Sequence, residues 1–110
     1  MVNEKQQVDR NLKGIELEKA GKVDEAIPLY EANIADNFEG NHPYDRLVII
    51  YSKRKQYAEV ERVLRKAIYI FENVVNVKRG DRIPKLEKFK GKFAKLKEKG
   101  LLREFIINSE

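Results

Sequence analysis

YDRLVIIYSKRKQYAEVERVLRKAI, running from Tyr44 to Ile68, decides the fold. It reads as two amphipathic helices joined by a polar turn. Tyr44, Leu47, Val48, Ile50 and Tyr51 recur at helical spacing, and Val60, Val63, Leu64, Ala67 and Ile68 repeat the device after the turn. Displaced by 34 residues, the chain meets its own pattern again. Ile15 falls on Ile49, Lys19 on Lys53, Glu25 on Glu59 and Ile34 on Ile68. Gly14/Val48, Leu17/Tyr51, Val23/Tyr57, Ala26/Val60, Leu29/Val63 and Tyr30/Leu64 keep their small, apolar or aromatic character. A fixed period of this length marks a helical solenoid, whose units cannot bury an apolar face alone and must stack.

Working outward, the periodicity predicts five helices. The first covers about Asn3 to Lys19, with Val8, Leu12, Ile15 and Leu17 on its apolar side and Gly21 ending it. The second covers about Val23 to Asp36, with Asp24 and Glu25 in its first turn, where negative charge suits the helix dipole. Asn41 is expected to cap the third, with Pro43 in the tolerated first turn. The fourth is expected from Tyr57 to about Asn76. Gly80 then breaks the chain, and Asp81 can cap a fifth helix bearing Leu86, Phe89, Phe93 and Leu96, which Gly100 stops. The tail LLREFIIN is apolar enough to dock.

The chain has 110 residues, enough for one domain with a real core. Charged residues make up 37% of it, a proportion that suits thin apolar stripes and wide solvated faces. Without cysteine, disulfides, thiolate zinc sites and a cysteine nucleophile are excluded. No apolar run approaches the roughly 18 residues of a membrane span, and the N-terminus has no stretch resembling a secretory signal. A cytoplasmic location is therefore expected. The net charge of +5 is unevenly spread: residues 1–40 carry 5 basic against 9 acidic residues, and residues 75–110 carry 11 against 5. Such polarity bears on partners rather than on fold.

Laid out in this register, the residues resemble the tetratricopeptide repeat family. GKVDEAIPLYEANIADN (Gly21–Asn37) is similar to that family's inter-helix turn and second helix. Tyr44, Leu47, Tyr51, Tyr57, Leu64 and Ala67 stand in consensus-like places. Gly14 and Ala26 leave room for helix axes to approach, with Leu17 and Tyr30 beside them. Arg10 and Lys13 depart from the usual aromatic and Leu. The resemblance implies an all-α superhelix of hairpins in a single domain, 1–110: repeats at 7–40 and 41–74, then a basic capping helix and tail at 81–110.

It also implies a concave partner-binding face lined by the first helix of each repeat. Carried onto this chain, its slots are Val8, Asn11, Ile15, Glu18 and Lys19, then His42, Asp45, Ile49, Ser52 and Lys53. Ile15 and Ile49 stand where a carboxylate clamp would want Asn, which disfavours that variant. A second surface is the stripe Lys85, Lys88, Lys92, Lys95 and Lys99, at helical spacing beside the apolar seam. It suits an acidic protein surface, the acidic front of a second copy, or a phosphate backbone.

Enzymatic readings find little purchase. His42 is the only histidine, the carboxylates are scattered, and the glycines form no phosphate-cradling loop. No metal or cofactor is expected. The expected function is a non-enzymatic module binding a protein or peptide, with self-association open to it; the alternative is a nucleic-acid accessory protein using the basic helix.

Overall fold

The computed structural model describes residues 3–102, all of them helical or in connecting turns. The helices are α1 (Glu4–Lys19), α2 (Val23–Ala35), α3 (His42–Lys53), α4 (Tyr57–Asn73) and α5 (Arg82–Glu98). Consecutive helices pack on one another, α1 on α2, α2 on α3, α3 on α4 and α4 on α5, as stacked helix hairpins do. The expected tail, residues 103–110, lies outside the described residues.

The helix ends have a common origin. At the end of α1, Gly21 takes the left-handed conformation (φ 76°), so Lys22 N–H donates to Leu17 O at 2.8 Å and Gly21 N–H to Glu18 O at 3.0 Å. This closes the carbonyls that a helix end leaves open. Thirty-four residues on, Lys55 (φ 57°) repeats it, with Gln56 N–H on Tyr51 O at 2.9 Å and Lys55 N–H on Ser52 O at 3.0 Å. Asn37 ends α2 in the same way, with φ 59°. The sequence period is thus a period of joints.

Four helix ends differ from expectation. Asn3 lies outside α1 and caps it, its side chain accepting from Gln6 N–H at 2.7 Å. Asn41 and Asp81 stand at the expected cap positions but have helical backbone and make no capping bond. Asn41 reaches Asp45 instead, and Asp81 is held by Arg79 and Lys85. The fourth helix stops at Asn73 rather than near Asn76: Val74 caps it, its N–H donating to Ile70 O at 2.9 Å, and Val75 donates to the same carbonyl and folds into the core.

The core runs mainly through α2, α3 and α4. Tyr44, Leu47, Val63, Leu64, Ala67, Ile70 and Phe71 are fully enclosed, and Ala26 and Val60 are also buried. Leu86, Phe89 and Leu96 join α5 to this core, with Phe89 packed against Phe71 and edge-on to Tyr44. The first helix is different: its buried positions are Asn11 and Gly14. A Cβ on Gly14 would lie 2.5 Å from the Tyr30 ring, so α2 leans on α1 through that aromatic face. Val8 and Leu12, expected on the apolar side of α1, are 43% and 59% exposed.

Two three-helix ties brace the stack. Glu18 of α1 accepts from Tyr30 of α2 and Arg46 of α3; Glu31 of α2 accepts from Tyr51 of α3 and Arg62 of α4. Each takes one residue from three successive helices, and each satisfies a half-buried carboxylate with a phenol and a guanidinium.

Candidate functional site

The first tie is the floor of a shallow trough between α1 and α3. Tyr30 Oη donates to Glu18 Oε2 at 2.6 Å, and Arg46 grips the carboxylate with Nε at 3.1 Å and Nη2 at 2.6 Å. On one side lies a lobe of about 290 Å³ lined by Ile15, Glu18, Lys19, His42 and Arg46. On the other lies a lobe of about 190 Å³ lined by Glu18, Val23, Arg46, Ile49, Ile50, Lys53 and Arg54. The 34-residue period therefore places Ile15 beside one lobe and Ile49 beside the next, with Lys19 and Lys53 at matching rim positions.

Electrostatics at the floor are settled internally. Burial pushes the Glu18 carboxyl up, but the hydrogen bonds from Arg46 and Tyr30 outweigh it and hold the group below its ordinary range. The Tyr30 hydroxyl is pushed far above its ordinary value, by burial first and by Glu18 second. His42 stacks edge-on against Tyr30, with ring centroids 5.5 Å apart, and its Nε2 is enclosed without a hydrogen-bond partner among the described residues. Burial, then the charge of Arg46, lowers its pKa below the ordinary 6.5, so the ring is neutral at physiological pH.

The rim differs from the floor. Arg54 is engaged by Asp24 at 2.8 Å. Lys19 and Lys53 are exposed, with no carboxylate partner among the described residues. The trough can thus enclose apolar side chains and present two unengaged ammonium groups.

Of the sequence-derived groove positions, Ile15, Glu18, Lys19, His42, Ile49 and Lys53 line the two lobes. Asn11 does not: it is 8% exposed and buried against α2, where Asn33 Nδ2 donates to its Oδ1 at 2.9 Å. Asp45 turns toward α5, with Lys92 Nζ at 3.8 Å and Asn41 Nδ2 at 2.6 Å. Val8 borders a separate recess with Phe38, Glu39 and Arg79, and Ser52 lines neither lobe. Arg46, the residue that divides the trough, was missed by sequence reasoning. Its signal was a lone arginine between the apolar positions of α3, one helical turn after His42.

The lysine stripe of α5 is not uniform. Lys85 pairs with Asp81 at 2.8 Å and Lys92 with Asp45, whereas Lys88, Lys95 and Lys99 are exposed with no carboxylate partner among the described residues. The described residues contain no group of three potential metal ligands, and none of their helices is long and apolar enough to cross a membrane. Comparison with family models, curated proteins and solved structures finds no match to this chain.

Proposed function

We propose that this chain is a tetratricopeptide-like, non-enzymatic interaction module that binds a protein or peptide segment in the trough between α1 and α3. One observation carries the reading: Ile15 and Ile49, one repeat apart, each border an open lobe on either side of the Glu18–Arg46 bridge. That bridge neutralises the charge at the floor without closing either lobe. A surface of this form receives side chains from an extended segment, and fixed helices supply its shape without reorganisation.

A display library of randomised twelve-residue peptides, selected on the native chain, tests this. Selected peptides should perturb the amide resonances of Ile15, Lys19, Ile49 and Lys53. They should lose about tenfold or more in affinity for the Ile15→Asp/Ile49→Asp chain, with helix content checked by circular dichroism. Peptides that bind both chains equally would place the interaction elsewhere. Nucleic-acid binding through Lys88, Lys95 and Lys99, with a log–log salt slope near about −2.7, would replace the reading with the rival one.

A further inference from the structure

We infer that the segment taken by the trough is acidic, its apolar side chains seated in the two lobes and its carboxylates on Lys19 and Lys53. The inference rests on the peptide-binding reading above and adds the chemistry of the partner. It follows from which charges are already answered. The lobes are lined by the cations Lys19, Arg46, Lys53 and Arg54 and by one carboxylate, Glu18. Arg46 is held by Glu18 in a two-point grip, and Arg54 by Asp24. His42, with its lowered pKa, adds no charge near neutrality.

Among the described residues the surplus is therefore the two lysines, both exposed, both at the rim and 34 residues apart in sequence. They occupy the same position in successive repeats. The two lobes share Glu18 and Arg46 in their linings, so one extended segment crossing that bridge passes both lysines. A basic segment would meet two uncompensated ammonium groups and would have to displace Arg46 to reach Glu18. A neutral segment would leave both lysines solvated and gain nothing from them. An acidic one answers the two charges that the described residues leave open.

The same display library decides the point. In peptides selected on the native chain, Asp and Glu should rise at least about twofold over the input. Their affinity should fall about tenfold or more for the Lys19→Glu/Lys53→Glu chain, while Lys88→Glu/Lys95→Glu on α5 should change it by less than about twofold. Raising the salt concentration should weaken binding to the native chain. Selected peptides without acidic enrichment that still depend on Ile15 and Ile49 would overturn the inference and leave the site standing. Acidic peptides indifferent to Lys19 and Lys53 but lost on the α5 variant would overturn it in favour of the helix-five surface. If no peptide depends on Ile15 and Ile49, both readings fall.

Discussion

The α1–α2 hairpin and the α3–α4 hairpin share a joint but not an adhesive. Between α3 and α4 the contact is apolar, with Leu47, Val63, Leu64 and Ala67 all enclosed. Between α1 and α2 a polar seam runs beside the Tyr30–Gly14 contact. Asn33 Nδ2 donates to Asn11 Oδ1 and to Gln7 O at 2.7 Å; Arg10 donates to Asn33 Oδ1 at 3.2 Å and to Asp36 at 2.6 Å; Gln7 Nε2 reaches Asp36 O at 3.1 Å. Apolar burial gives stability almost regardless of angle, whereas a hydrogen-bonded seam gives modest net energy and demands one arrangement. One hairpin is held by apolar burial, and the other by the Tyr30–Gly14 contact and Leu17 together with a hydrogen-bonded seam.

The comparison can be broken at its strong side first. Leu47→Ala should cost about 2–5 kcal/mol in denaturant unfolding, as for other large-to-small core changes. A loss below about 0.5 kcal/mol would mean that α3–α4 is not held by apolar burial. Asn33→Ala should cost less, about 1–3 kcal/mol, by leaving Asn11, Arg10 and the Gln7 carbonyl without their shared partner. Native-state hydrogen exchange should show α1 amides opening at lower free energy than those of α3 and α4, and uniform protection would erase the distinction.

Lys55→Gly sharpens the comparison at the joint. A side chain in the left-handed region costs about 1 kcal/mol that glycine avoids, so this change should stabilise the chain, offset in part by unfolded-state entropy. Gly21→Lys at the equivalent joint should destabilise it, and a thermal melt of both variants reads the pair. The smallest effect is a pH slope from His42. Its folded pKa lies below 6.5, so the folded chain holds fewer protons; its stabilising share is present above about pH 6.5 and is lost as pH falls through the folded value. Arg46 deepens this shift, while Glu18 and Asp45 oppose it. His42→Gln should flatten the stability profile between about pH 7 and 5, and an unchanged slope would assign it to other groups.

The sequence disclosed α3 and α4 almost completely because their buried faces are their apolar faces. On α1 the two do not coincide. Of the expected apolar residues Leu17 packs against the core, but Val8, Leu12 and Ile15 lie about one residue, or 100°, away from the line through Gln7, Asn11, Gly14 and Glu18 by which α1 meets its neighbours. A hydropathy pattern cannot report a face that is buried through hydrogen bonds. For the same reason Asn11 reads as a groove residue when it is a seam residue, and Asp45 as another groove residue when it lies against Lys92 and Asn41. Gly14 was the exception, since a glycine in mid-helix announces a close approach, here by Tyr30. Arg46 stayed hidden because its importance lies in its partner 28 residues away, not in its neighbours.

The joints at Gly21 and Lys55 carry one further implication. Because they close with the same bonds 34 residues apart, residues 22–55 begin and finish on interchangeable connectors. A duplicate of that segment spliced after Lys55 would meet familiar geometry at both ends. The connection would therefore be compatible at both ends, while the packing would not: the second copy of Tyr30 would face Val48, where the first has Gly14 against its ring.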